Sequence, residues 1–178
     1  MKLLLLILFS SLTINISFSQ SENFELDDGQ VIWRKVINSD LTKTQLLTNI
    51  SQSGHFINVL EVGENVTAQV DQLIIDYEGN GWSYLSTPIE IIQSYIKCFV
   101  IIEFKEDRYR VTLKNILFVR NEESKTGGIG ELTLLESVAL RRNNTEFKNS
   151  FLQKPSEIMN LTFERITSFN EPTAKDKW

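Results

Sequence analysis

The sequence contains one cysteine and one histidine among its 178 residues, and this scarcity excludes several kinds of site. No disulfide can form within the chain, because Cys98 has no second cysteine to pair with. A zinc site needs three or four His, Cys or carboxylate ligands, and Cys98 and His55 are the only nitrogen and sulfur ligands available. A Ser-His-Asp triad or a Cys-His pair would have to use His55, which begins a predicted strand after Gly54. We therefore predict no catalytic residue of these kinds and no cofactor.

Positive charge is also in short supply. Lysine and arginine together number 18, against 23 aspartates and glutamates, which gives a formal net charge of −5. The basic cluster of note, Arg141-Arg142 with Lys148, lies among asparagine and threonine residues that are typical of a solvated loop. Nucleic acids and anionic membranes both favour a clustered positive surface. We therefore predict that nucleic acid is not a partner.

A short apolar run lies near the N-terminus, over residues 3–9. Lys2 precedes it, and the small residues Ser17 and Ser19 stand at the −3 and −1 positions of a cleavage site, the pattern of a secretory signal. The run is too short to span a bilayer, which needs about 20 predominantly apolar residues. The sequence predicts a signal peptide over residues 1–19, a secreted or periplasmic protein, and no transmembrane segment after cleavage.

The rest of the chain predicts a single α+β domain over residues 24–170 and a disordered tail over 171–178. Strands are predicted over 30–37, 55–62 and 66–77, and the apolar pattern slips in phase after Val70, which predicts a β-bulge near Asp71-Gln72. Helices are predicted over 41–53, with Asp40 as the N-cap, and over 156–169, with Ser156 as the cap. Residues 131–140 fit a short strand or a helical turn.

The clearest hairpin joins strands over residues 95–104 and 109–119. On the first strand, Cys98 shares the inward face with Ile96, Val100 and Ile102. On the second, the residues expected to point inward are Tyr109, Val111, Leu113, Leu117 and Val119. Arg110, Thr112 and Lys114 alternate with them. Because an antiparallel sheet can leave one face in water, we predict a sheet of about five strands with helices on one face and these three polar side chains on the other.

Two aromatic residues, Trp82 and Tyr84, follow a glycine turn, so we expect at least one ring to be exposed. Aromatic anchors favour binding surfaces, although packing at the end of the sheet is the plainer interpretation. With Arg110, Thr112 and Lys114 they form the predicted ligand surface.

A possible calcium loop lies just before these aromatic residues. Asp76, Glu78 and Asn80, followed by Gly81, match the alternate oxygen ligands and the glycine turn in the first half of such a loop. The twelfth position holds Thr87 instead of a bidentate glutamate, so the alternative is a polar hairpin turn.

Paired carboxylates for glycoside hydrolysis need only meet in space. Asp71, Asp76, Glu103 and Asp107 are the candidates for such a pair, but their spacing does not single out any two of them.

Several features are shared with one known group: the signal ending Ser17-Phe18-Ser19-Gln20, an opening strand–helix unit, the hairpin strands over 99–104 and 107–116, and a late amphipathic helix. With these features, the chain over about residues 31–169 resembles a domain family of unknown function with a TATA-binding-protein-like (TBP-like) fold, common in secreted proteins of Bacteroidota-type bacteria. The resemblance implies a curved antiparallel sheet with helices on one face. It implies neither DNA binding nor a catalytic residue.

The sequence therefore favours a secreted, non-enzymatic binding or envelope-associated module, whose partner is an unidentified protein or envelope polymer. One alternative is a carboxylate-dependent hydrolase of the envelope, which would need two carboxyl groups in one cleft. The other is a structural subunit of an envelope assembly that packs its sheet edge on a partner.

Overall fold

Seven antiparallel strands form one sheet in the computed structural model, which describes residues 23–121 and 128–169. The strand order is β1-β2-β6-β5-β4-β3, and β7 pairs with the second half of β6. The predicted signal peptide over residues 1–19 and the predicted tail over 171–178 lie outside the described residues. The elements in chain order are β1 (Phe24–Asp27), β2 (Gln30–Asn38), α1 (Lys43–Gln52), β3 (Phe56–Val62), β4 (Asn65–Ile74), a 3-10 turn (Tyr84–Ser86), α2 (Ile89–Ile92), β5 (Ser94–Lys105), β6 (Arg108–Arg120), β7 (Leu132–Leu134), α3 (Leu135–Ala139), α4 (Asn149–Gln153) and α5 (Pro155–Thr167).

The predicted α+β architecture, an antiparallel sheet with helices on one face, is confirmed, but the sheet has two more strands than expected. Both extra strands are short. β1 joins β2 through Asp28 (φ 50°) and Gly29 (φ 78°), and two central residues with positive φ are what a type I′ hairpin turn requires. The undecided segment over 131–140 contains both a strand and a helical turn, since β7 runs directly into α3.

The two main helices begin at residues other than those predicted. α1 is capped by Thr42 instead of Asp40, because Thr42 Oγ1 accepts from the Gln45 N–H (3.3 Å) while Gln45 Oε1 accepts from the Thr42 N–H (2.9 Å). α5 begins with Pro155, and Ser156 is not its cap but a buried residue whose hydroxyl donates to the Leu152 carbonyl. Within the described part of the chain, no helix is long and apolar enough to cross a membrane.

The core lies between the sheet and the helices, and the polar atoms of two of its largest side chains, Trp33 and Tyr109, find partners. Trp33 is fully buried, and its Nε1 donates to Asn160 Oδ1 on α5 (2.8 Å). The Tyr109 hydroxyl donates to the Thr167 carbonyl and accepts from the Phe169 N–H, both at 2.9 Å. Burial raises the pKa of Cys98 to about 12, so this inward thiol stays protonated and packs as a small apolar group, as its place on β5 predicted.

Three β-bulges interrupt the strands, each with one residue at positive φ. The predicted bulge in β4 is confirmed, since the register shifts between Val70 and Leu73 and Gln72 has φ 59°. β3 has a bulge near Asn58 (φ 53°) and β6 has one at Asn115 (φ 52°).

The β6 bulge corrects one prediction about the core. An extra residue in a strand exchanges the two faces beyond it. Ile116 and Phe118 therefore point into the core, in place of the predicted Leu117 and Val119.

Candidate binding surface on the open face of the sheet

The sheet has a second face, turned away from the helices, which we call the open face. On β5, Ile96, Cys98, Val100 and Ile102 belong to the core, while the residues between them, from Tyr95 to Glu103, point the other way and are half-buried. Residues directly opposite each other on antiparallel strands point to the same face, so the strand register assigns the neighbouring side chains to the open face as well.

The predicted polar residues of β6 do lie together on this face, and the two charged ones already have carboxylate partners. The Arg110 guanidinium donates to both carboxylate oxygens of Glu103, from Nε at 2.6 Å and from Nη2 at 2.7 Å. This hydrogen-bonded pairing lowers the pKa of Glu103 and raises the pKa of Arg110. Lys114 Nζ lies 3.2 Å from Asp27 Oδ2, and Thr112 is buried. A charged ligand would have to compete with these internal partners.

Exposed apolar side chains line the edge strand β3. Ile57, Leu60 and Val62 are 45%, 61% and 58% exposed. Leu60 lies opposite Thr67 on β4, and Thr67 lies opposite the half-buried Ile101 on β5. The row that begins with Leu60 at the edge therefore reaches a second apolar side chain, Ile101, near the middle of the sheet. We call the three exposed β3 residues, Ile57, Leu60 and Val62, the β3 apolar edge.

A groove of about 270 Å³ crosses the open face from β3 to β6 at the level of the bulges. We call it the transverse groove. The side chains that matter for its chemistry are Ile57, Gln69, Asp71, Lys97, Phe99 and Asn115.

The loop with Trp82 and Tyr84 is not part of the open face. Tyr84 is 55% exposed, whereas Trp82 is partly buried against the core and has Lys154 Nζ 5.1 Å from the centre of its ring. Asn80, in the same loop, donates to Thr162 Oγ1 on α5 (3.3 Å). The loop thus packs on α5, which covers the other face. The structure therefore does not bring the two halves of the predicted ligand surface together.

The oxygen atoms of the predicted calcium loop contact an arginine. Arg165 Nη1 donates to Asp76 Oδ2 (2.5 Å) and Nη2 donates to Asn80 Oδ1 (2.8 Å), while Glu78 is exposed. The hydrogen bond from Arg165, together with one from the Gly79 N–H, lowers the pKa of Asp76. In residues 23–121 and 128–169, no cluster of three or more His, Cys, Asp or Glu side chains could hold a metal ion. Calcium binding stays a prediction, and the guanidinium charge opposes it.

The candidate carboxylates of the hydrolase hypothesis are separately paired. Asp71 Oδ1 lies 2.9 Å from Lys97 Nζ, Glu103 binds Arg110, and Asp76 binds Arg165 of α5. Asp107, the fourth candidate, is exposed in the β5–β6 turn, with its Oδ1 3.9 Å from Arg108 Nε. The stretch of β5 from Lys97 to Glu103 spans roughly 20 Å at about 3.3 Å per residue. A glycosidase pair needs about 5–9.5 Å, so the carboxylates of Asp71 and Glu103 do not form one.

No protein-family model matches the chain, and no curated protein matches it. Two solved structures are similar to it. One is a DUF4468 family protein from Bacteroides ovatus, 12% identical, with a TM-score of 0.47, covering 86% of this chain and 94% of that one. The other is a TBP-like protein from Parabacteroides distasonis, 14% identical, with a TM-score of 0.42, covering 83% of this chain and 90% of that one. The description of the second structure uses the same fold name, TBP-like, as the resemblance stated from the sequence.

Sequence reasoning missed the β3 apolar edge and the transverse groove. The signal for the edge is present in the segment FINVLEV, which has apolar residues on both faces of a strand where a simple alternation would have them on one. The groove depends on the alignment of bulges in neighbouring strands, which requires the register and is not visible in any single segment.

Proposed function

We propose that this protein is a secreted, non-enzymatic binding module that uses the open face of its sheet to hold a partner. The observation that carries the proposal is the exposed β3 apolar edge, with Leu60 61% exposed. Fully burying one Val, Leu or Ile side chain contributes about 1.5–3 kcal/mol, so three of them supply a substantial part of a binding free energy.

The charges of the open face support a partner that needs no strong electrostatic attraction. Arg110, Lys97 and Lys114 each have a carboxylate partner on the protein itself. Exposed ion pairs of this kind contribute little to affinity and restrict which charged partners are accepted. The β3 apolar edge is therefore the part of the open face whose burial would contribute most to the free energy of binding.

Export is the second part of the proposal, and the N-terminal sequence supports it. If residues 1–19 are a cleaved signal, mass spectrometry of the protein recovered from the periplasm or the culture medium should find an N-terminus near Gln20. An intact Met1 on the exported protein would contradict cleavage.

Site-specific cross-linking tests the binding surface directly. A photo-reactive benzoyl-phenylalanine replaces Leu60 in one variant, and in a matched variant it replaces Leu85, which is 95% exposed on the loop beside α5. Both are irradiated in native cells, and adducts are separated by mass. We expect adducts of defined mass from position 60 and none of the same mass from position 85. Adducts from position 85 alone would refute the open face as the binding surface.

A structural subunit remains the second candidate, because β3 is both apolar and an edge strand of the sheet. An edge strand with exposed apolar side chains favours pairing with another chain. Sedimentation velocity over a hundredfold range of concentration separates the two cases. Assembly that is abolished by Leu60→Lys would favour the subunit, and a monomer at all concentrations would favour the binding module.

A further inference from the structure

Two bulges lie at the level of the transverse groove, opposite the adjacent β5 residues Lys97 and Cys98. In β4 the register shifts between the pairs Val70–Cys98 and Leu73–Ile96, and in β6 it shifts between the partners of Lys97 and Phe99. Each bulge inserts one extra residue and re-aims the neighbouring side chains. The groove of about 270 Å³ lies at this level and is lined by a residue of each bulge, Asp71 on β4 and Asn115 on β6.

The polar groups of the groove are carboxamides and one internal ion pair. Gln69 Oε1 accepts from Asn58 Nδ2 (3.0 Å), which leaves the Gln69 amide group as a donor. The exposed Asn115 carboxamide has no side-chain hydrogen bond to any described residue, so its donor and acceptor both remain for a ligand. Lys97 and Asp71 form an ion pair at 2.9 Å, and this pairing raises the pKa of Lys97.

The apolar part of the groove is supplied by Phe99, Ile57 and Leu117. Phe99 is half-buried between Gln69 on β4 and Lys114 on β6, and Ile57 lies opposite Gln69 at the β3 end. The groove thus joins a flat aromatic ring to groups that both donate and accept hydrogen bonds. Sites for polar small molecules combine an apolar lining with a few polar groups in this way.

This chemistry fits a neutral polyhydroxylated chain. Each hydroxyl group of a sugar donates and accepts, as carboxamides do. A charged ligand would have to separate Lys97 from Asp71. The larger groove at the β5–β6 turn differs in this respect, since its volume of about 410 Å³ is lined by the charged Glu64, Lys105 and Arg108 as well as by the Glu103–Arg110 pair.

The direction of the groove argues against an extended peptide. A peptide that binds as an added strand needs the free backbone groups of a sheet edge. The groove instead crosses β4 and β5, whose backbones pair with a strand on each side. From β3 to β6 it covers three interstrand spacings, roughly 14 Å at about 4.8 Å each, which is longer than a single sugar ring.

We propose that the transverse groove binds a neutral glycan chain, with Asn115 and Gln69 as its hydrogen-bonding residues and Phe99 as its apolar contact. This inference rests on the proposed function, because it assumes that the open face is the binding surface.

Native gel electrophoresis in gels containing dextran, mannan or xylan tests the inference, with acidic alginate as the charged comparison. Asn115→Gly removes the carboxamide and keeps a residue that tolerates φ 52°. Asn144→Gly is the matched control, because Asn144 has φ 54° in a turn outside the groove. We expect at least one neutral polysaccharide to retard the wild-type protein. Asn115→Gly and Gln69→Ala should each weaken this retardation about fivefold to tenfold, and Asn144→Gly should leave it unchanged.

Three results would overturn the inference: no retardation by any neutral polysaccharide, retardation by alginate alone, or retardation that Asn115→Gly and Gln69→Ala leave unchanged. Thermal unfolding of each variant shows whether it is folded. Cross-linking from position 60 keeps the two proposals apart. Protein adducts there without any neutral polysaccharide binding would reject the glycan and retain the open face, whereas failure of both experiments would reject both.

Discussion

Replacing Asn160 by alanine should destabilise the domain more than its single side chain suggests. Asn160 Oδ1 accepts from Trp33 Nε1 and from Asn23 Nδ2, both at 2.8 Å, and its own Nδ2 donates to Glu164 Oε1 (3.0 Å). In Asn160→Ala the indole N–H of the fully buried Trp33 loses its partner, which costs about 1–3 kcal/mol. The two part-buried hydrogen bonds add about 0.5–1.5 kcal/mol each. Together these contributions give an expected loss of about 4 kcal/mol, or a fall in Tm of about 8–16 °C.

Urea denaturation, monitored by circular dichroism, measures this loss of stability. Leu161→Ala is the control, because Leu161 is the next residue of α5 and is 38% exposed. A double-mutant cycle with Trp33→Phe isolates the buried hydrogen bond, since phenylalanine has no indole N–H. In that background Asn160→Ala should cost at least about 1 kcal/mol less. A coupling free energy near zero, or equal losses for Asn160→Ala and Leu161→Ala, would refute the reasoning.

Three further predictions concern stability. Burial raises the pKa of Cys98 from 9.0 to about 12, so as the pH rises above 9 the unfolded chain loses the thiol proton first and the free energy of unfolding falls. Cys98→Val should make this fall shallower between pH 9 and 12, and parallel denaturation curves would contradict that. Because Arg165 already binds the oxygen atoms of the loop, millimolar calcium should leave Tm unchanged; a rise of several degrees would restore the calcium interpretation. Thr42→Ala, which removes the cap of α1, should cost about 1 kcal/mol in urea denaturation, and no change would mean that the capping box contributes nothing.

Local patterns predicted the long strands. They did not predict every strand, nor which residues of each strand point into the core. No strand was predicted before residue 30, although the Asp28-Gly29 pair that precedes it is typical of a two-residue hairpin turn, and β1 was therefore missed. The bulge at Asn115 was missed because residues 116–119 are all apolar, so their pattern fits either phase. The bulge in β4 was found because Asp71 and Gln72 interrupt the apolar alternation visibly.

The candidate site was predicted to the extent that it depends on alternation. Arg110, Thr112 and Lys114 share a face because every second residue of a strand does. Their partners could not be predicted, because Asp27, which meets Lys114, lies on a strand far away in sequence. The packing of the Trp82 loop on α5 is likewise a long-range contact that no local segment contains.

The place of β6 in the sheet has a consequence for the newly made chain. β2 pairs with β6, and Trp33 meets Leu113 only after most of the domain has been synthesised. Pairing of strands so distant in sequence is slow, because the entropy cost of closing a long loop comes before any stabilising contact forms. The β2–β6 ladder therefore cannot form until β6 has been synthesised. Until then the segment FINVLEV, which has apolar residues on both faces, lacks its final sheet and is exposed to aggregation.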